Sequence, residues 1–402
     1  MSQYTYKPLG CDELLLNAWA RSGSLSFQSE PENILVCLQS PDYNKWCRVL
    51  VTKQNELAAT IFSSPVGLNI ENNSVKAEAV GFVCVPPEHR GKRASVEIMR
   101  EHLHEAHTDG AALSVLYSAR ARLYRGVGYE TAGRRSVIQI PLRTLKARSM
   151  EGADRVNIRE MSDDDHGKMK ELYKDFASQI NGYLDRGQWH WDYTLGGYAK
   201  KKYPGFIFEQ SGTITGYMIL TKGQSVGEKH GSEMGIHDIA FTDAPTARSM
   251  IRFLSGFSST RSMATLGADT THPLFDHIDE LWYQVASTEL WMIRILDIER
   301  AVSQRGYNPC LTGDVVVEIS DPILKHNNTR WHISVADGKG TATQTDAPTQ
   351  ASMDISAFAA IFTGYSTATQ THNSGRLEAS SDAINVLNGL FNAPTPVMAD
   401  DF

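Results

Sequence analysis

Arg90-Gly91-Lys92-Arg93-Ala94-Ser95 puts three cations and three small residues into six consecutive positions. Where such a run opens a helix it builds an anion cradle. The first amides of a helix have no intrahelical partner, and the helix dipole adds partial positive charge there. A pyrophosphate is the guest that suits it. Further along, Leu123-Tyr124-Arg125-Gly126-Val127-Gly128-Tyr129 carries a phenol, Tyr124, among basic residues. Tyr124 is either a proton donor or a core aromatic packed on Tyr129. The other chemistry-bearing groups are weaker signals. His102, His104 and His107 have none of the spacing of an H-E-x-x-H zinc motif and read as a surface cluster. Cys84 reads as an apolar strand residue, and Trp189-His190-Trp191 as packing. No metal site is expected.

A cradle works only if a strand feeds it and a helix leaves it. Gly81-Phe82-Val83-Cys84-Val85 reads as a buried strand, ended by Pro86-Pro87, which cannot donate to a ladder. After the basic turn, Val96, Met99, Leu103 and Ala106 recur at helical spacing. Gly110 stops that helix, residues 112–117 read as the next strand, and a short helix from Arg120 carries Tyr124. This order of strand, anion turn, helix, strand and aromatic helix resembles the acyl-CoA-binding half of the GNAT acetyltransferase superfamily. The turn there has the form R/Q-x-x-G-x-G/A. Here Arg93 stands in place of a glycine and Ser95 in place of the last small residue, and an arginine must keep its side chain clear of the phosphates or beside them.

With 402 residues, 41% hydrophobic and 21% charged, the chain has room for two or three domains with ordinary cores. A formal charge of −7 gives no reason to expect nucleic acid as a partner. Five cysteines without metal-like spacing suggest a reducing interior. No apolar run reaches the roughly 20 residues of a membrane span, and no secretory leader is read at the start. The expectation is a cytoplasmic protein with no membrane partner.

A first unit contains an early helix over 11–20, strands over 46–52 and 57–62, and the cradle. A polar stretch at 148–154 suggests a boundary. In a second unit, 205–209 and 214–220 form a hairpin around Ser211-Gly212. The strand 234–241 then leads into Thr242-Asp243-Ala244-Pro245, in the place the cradle holds in the first unit but without its basic cluster. This reads as a degenerate copy that has lost the cofactor. A third unit has strands over 315–319, 331–335 and 340–344, a hairpin at Asp337-Gly338, and helices over 355–362 and 383–391.

Two GNAT-like units and a small third domain resemble the Eis-type acetyltransferases. Leu290-Trp291-Met292-Ile293-Arg294-Ile295, Arg305-Gly306-Tyr307 and the closing Asp400-Asp401-Phe402 carry the likeness along the whole chain. The resemblance implies an α+β (mixed αβ) fold: tandem GNAT folds, the second degenerate, and a C-terminal sterol-carrier-protein-like domain. The units are then 1–149, 150–298 and 299–402. It implies acetyl-CoA as co-substrate, held by Val83, Val85 and residues Arg90, Gly91, Lys92, Arg93, Ala94 and Ser95. It further implies Tyr124 as general acid and the carboxylate of Phe402 as general base, with Phe27, Glu30, Glu32 and Asp401 lining an amine pocket. Accepted substrates would be small polycationic amines such as aminoglycosides, and assembly a homo-hexamer. Arg120, Arg122 and Arg125 are expected to lower the Tyr124 pKa where they point inward. Repulsion from Asp400 and Asp401 is expected to raise that of the Phe402 carboxylate. The competing reading is a non-enzymatic lipid or acyl-CoA carrier built on the third domain.

Overall fold

The computed structural model describes residues 3–27, 29–196, 203–222 and 232–402. The first unit runs β1 (Thr5–Pro8), α1 (Glu13–Phe27), α2 (Pro31–Gln39), α3 (Pro41–Asn44), β2 (Cys47–Val51), β3 (Leu57–Ile70) and β4 (Asn73–Cys84). It continues with α4 (Ala94–Thr108), β5 (Leu113–Tyr117), α5 (Ala121–Arg125) and β6 (Glu130–Pro141). Strand β3 is far longer than the 57–62 expected from sequence, and Pro65 does not interrupt it. That residue sits after β2 has left the outer edge at Phe62 and before a later strand joins at Gly67, so its missing donor costs the ladder little.

The second unit has β7 (Asn157–Glu160), α6 (His166–Ser178), β8 (Leu184–Asp185), α7 (Gln188–Thr194), β9 (Gly205–Gln210) and β10 (Thr213–Lys222). It closes with β11 (Ser232–Phe241), α8 (Ala244–Ser255), β12 (Arg261–Ala268) and β13 (Gln284–Ile295). All thirteen strands so far join one sheet in the order β1-β2-β3-β4-β5-β13-β6-β12-β11-β10-β9-β7, with β8 beside β3. The centre of that order is an exchange. Strand β13, from the second unit, pairs with β5 of the first (Trp291↔Tyr117), while β6 of the first pairs with β12 of the second (Met263↔Pro141). Boundaries drawn along the sequence therefore do not separate the two units in space.

The repeat is visible in backbone detail. Strands β4 and β5 are parallel through Val80↔Leu116 and then part; β11 and β12 are parallel through Ile236↔Leu266 and then part. Each leading strand carries an irregularity at the split, around Phe82 and at His237.

The third unit comprises α9 (Ile298–Gln304), β14 (Gly313–Ser320), β15 (Arg330–Ala336), β16 (Lys339–Gln344), β17 (Ala351–Asp354), α10 (Ile355–Phe362), α11 (Ala368–Asn373), β18 (Leu377–Ala379) and α12 (Ser381–Leu390). Its sheet is ordered β16-β15-β14-β17-β18. Helix α10 is apolar nearly all round, since it is buried nearly all round. It packs on β6 and β13, so Phe358 and Phe362 share one core with Leu68, Val115 and Trp291 of the large sheet. At this junction Arg294 of β13 is fully buried. It donates to both oxygens of Asp321 (2.8 and 2.7 Å) and to the carbonyl of Val127, just past Tyr124 (3.0 Å).

Candidate active site

Beyond Val80 the β5 side of β4 has no strand partner among the described residues. In this open stretch Phe82 adopts φ +53°, a left-handed conformation rare for a bulky residue, and its carbonyl accepts from the Thr60 hydroxyl (2.9 Å). The bulge re-aims the strand. The Phe82 ring goes to Phe27 and Trp19 of α1, with centroids 4.6 and 6.3 Å apart.

The basic turn follows. Gly91 has φ +79° and Arg93, at the N-cap of α4, has φ +63°. The family's glycine at this position is thus replaced by a residue held in the left-handed region, which costs roughly 1 kcal/mol. Among the described residues, the amides of Gly91, Arg93, Ala94 and Ser95 have no protein acceptor. Together with Val83, Cys84, Val85, Arg90 and Tyr124 these residues line a cavity of about 530 Å³. Seven of the eight expected cofactor residues meet there. Lys92 does not: it lines a neighbouring cavity with Arg21 and Glu88.

Tyr124 is buried edge-on against Tyr129, with centroids 5.9 Å apart, and it lines both the cradle cavity and the next one. Burial, with a smaller contribution from Cys84, pushes its pKa up to about 12. The expected lowering by neighbouring arginines does not occur. Arg125 is committed to Glu130 (2.8 Å), and Arg120 and Arg122 take no part.

The next cavity, about 630 Å³, is where the chain's last residue arrives. Phe27, Gly81, Val83, Tyr117, Ser118, Tyr124, Glu289 and Phe402 line it. The approach is close: a Cβ on Gly81 would lie 2.9 Å from the main-chain carboxyl carbon of Phe402. The tail is threaded rather than frayed. Val397 donates to Asn181 (2.7 Å), Met398 to Arg134 (3.0 Å), and the Tyr117 hydroxyl donates to the Asp400 carbonyl (2.9 Å). The Phe402 ring rests on Tyr117 and His190, with centroids 5.2 and 6.0 Å away. His190 is buried with neither ring nitrogen hydrogen-bonded among the described residues, and burial drives its pKa down to about 3.

The expected repulsion within Asp400-Asp401-Phe402 is offset by cations. Arg135 holds Asp401 (3.0 Å) and Arg186 holds Asp400 (2.8 Å). Asp401 is thus paired and, unlike Phe402, lines neither cavity. Glu30 is exposed at the N-cap of α2 and, like exposed Glu32, lines neither cavity, whereas Glu289 does. The histidine cluster is also not on the surface as a whole, because His102 is buried in the core face of α4. His107 meets Asp297 and His326, but its ring stacks on His326 (3.9 Å, 22°) and Arg300 already pairs with Asp297 (3.3 Å). Near-parallel rings cannot aim two lone pairs at one ion, so this group reads as a domain junction.

Gly81, Arg135, Arg186 and Glu289 escaped the sequence reading. Gly81 had a signal, because glycine inside a strand often marks close approach of another backbone. The arginines had none, since their partners in the tail lie more than 200 residues away.

A bulged strand that parts from its neighbour, an anion turn at a helix start and a buried phenol together define the acetyltransferase class of fold. Acetyltransferase (GNAT) domains match residues 12–132 and 182–295, and a sterol carrier protein domain matches 298–399. N-acetyltransferase Eis of Mycobacterium tuberculosis is 24% identical over 337 residues, covering 79% of this chain and 78% of that protein. The crystal structure of a GCN5-related N-acetyltransferase from Anabaena variabilis superposes with a TM-score of 0.89 at 23% identity, covering 99% of this chain and all of that one. A second, from Kribbella flavida, gives 0.85 at 20% identity, covering 99% and 98%. The chain belongs to the GNAT superfamily in its Eis-type form, two GNAT domains followed by a sterol carrier protein domain, and is an acetyltransferase rather than a bare carrier. GNAT acetyltransferases use acetyl-CoA.

Proposed function

We propose that this protein transfers an acetyl group from acetyl-CoA to a primary amine of small polycationic substrates, aminoglycosides among them, by direct attack. The observation that carries this is the meeting of the Phe402 carboxyl, the Gly81 backbone and Tyr124 around one cavity. The cradle cavity takes the pyrophosphate of the cofactor. The pantetheine arm takes the place β5 vacates beside β4, where main-chain amides at Val83 and Val85 polarise the thioester carbonyl. With Phe402 as last residue, its carboxylate accepts the ammonium proton. The freed amine attacks the carbonyl carbon, the C–S bond breaks, and the thiolate takes a proton from Tyr124, which the second proton shed by the attacking nitrogen replaces. A phenol near 12 keeps its proton across the working pH range, so the donor starts each turnover neutral and protonated. Glu289 and the Phe402 carboxylate against Arg125 leave the cavity lining net negative, which suits a polyamine.

Deleting Phe402, or changing Tyr124 to Phe, is expected to cut kcat by about 10²–10⁴-fold while acetyl-CoA binding holds. The measurement is thiol release with acetyl-CoA against a panel of amines. Unchanged turnover in both variants would overturn the catalytic assignment, and absence of amine-dependent release across the panel would overturn the substrate class. Free cysteines throughout support a cytoplasmic setting. Exposed Leu281, Trp282 and Val285 support assembly, as a homo-hexamer, which light scattering tests.

A further inference from the structure

In the second unit β11 parts from β12 after Ile236. Two residues on, Asp238 meets Arg186 in a fully buried pair (2.7 and 2.9 Å), and Tyr217 donates to the same carboxylate (2.7 Å). The third member comes from the tail. The Arg186 Nε donates to Asp400 (2.8 Å), and the Tyr173 hydroxyl donates to its other oxygen (3.3 Å). The guanidinium lies over the rings of Tyr173 and Trp191, 3.8 and 5.0 Å from their centroids. Asp400 is two residues from Phe402, whose carboxyl must stay against Gly81.

We propose that the degenerate second unit is a docking socket for the C-terminal tail, and that Arg186, fixed by Asp238, is a positioning residue that sets the Phe402 carboxylate in the first unit's cavity. This rests on the reading of Phe402 as general base. The socket holds two carboxylates to one guanidinium. Desolvation raises the pKa of Asp400 while Arg186 keeps that of Asp238 low, so Asp400 is the less comfortable of the two acids. An arrangement serving stability alone would be complete with Arg186 and Asp238. The extra acid ties the tail to the socket.

The test separates position from stability. Asp400→Asn leaves Arg186 paired one-to-one with Asp238, so the thermal midpoint is expected to hold or rise while kcat falls by about 10-fold or more. Carboxypeptidase is then expected to release Phe402 from the folded protein faster than from wild type. Arg186→Gln is expected to lower kcat about 10²-fold with acetyl-CoA affinity unchanged, and to add nothing further once Phe402 is deleted. Losses that multiply in that double variant would mean that Arg186 acts other than through Phe402, and would overturn the proposal. Full turnover in Asp400→Asn, with an equally protected tail, would overturn it even if Arg186→Gln fails to fold. A deletion of Phe402 that leaves turnover intact would remove the general base itself. A deletion that abolishes turnover, while both socket variants keep it, would remove only the socket.

Discussion

At Gly81 a single methyl group decides whether Phe402 can stay where it is. Gly81→Ala would place a Cβ 2.9 Å from the Phe402 carboxyl carbon, and that neighbour is backbone, so it must move rather than rotate away. Displacements of about 1 Å at a reacting group cost on the order of 10²-fold in rate. The expected outcome is a kcat loss of that size with acetyl-CoA affinity held, read by steady-state kinetics and equilibrium binding. Residue types that carry chemistry by local pattern were legible: the basic turn and the phenol both lie on β4–α5 as their spacing implied. Residues whose role depends on a distant partner were not. Tyr124 shows why. Its arginine neighbours in sequence suggested a lowered pKa, yet a side chain one position away on a helix faces elsewhere, and burial governs instead.

Among elements, α4 is where sequence and structure agree closely and also where they disagree instructively. Its apolar stripe and its stop at Gly110 were readable. The left-handed Arg93 at its N-cap was not, because the sequence offers an arginine where the geometry asks for glycine. Arg93→Gly is therefore expected to stabilise the fold by up to roughly 1 kcal/mol, the left-handed cost partly offset by a more flexible unfolded chain; urea unfolding measures it. Strand β3 was read as 57–62, yet the ladder runs on through Pro65, where no edge partner needs its missing donor. The β5/β13/β6/β12 exchange was beyond sequence reading, since nothing in a strand's composition names the strand it will pair with.

Over the whole molecule, buried ionisable groups set the response to pH and to mutation. His102, His190 and His272 are buried with pKa values near 4, 3 and 4. In the unfolded chain they take up protons near 6.5, so below that pH the unfolded state binds more protons and stability falls as pH falls. Glu78, raised to about 7, and Asp400, also raised by burial, act in the opposite sense, but they are outnumbered by the imidazoles that burial lowers. The urea midpoint is expected to be lower at pH 5 than at pH 7.5; an equal or higher midpoint would contradict this. Arg294 and Asp321 tie all three units at one buried point. Arg294→Met should cost roughly 3–5 kcal/mol by stranding Asp321, and adding Asp321→Leu should recover much of it, as chemical denaturation of the two variants would show.

The crossing of β6 and β13 bears on how the protein comes into being. The strand that flanks β5, and so completes the first unit's sheet, is made only after some 280 residues have been synthesised. Until then a nascent chain carries β5 with one edge bare, an invitation to mispairing with other chains. Maturation should thus be slow and reliant on chaperones, and a fragment ending near residue 149 should precipitate instead of yielding a small working enzyme. The proposed site, which needs β13 beside β5, can form only after the second unit has been made.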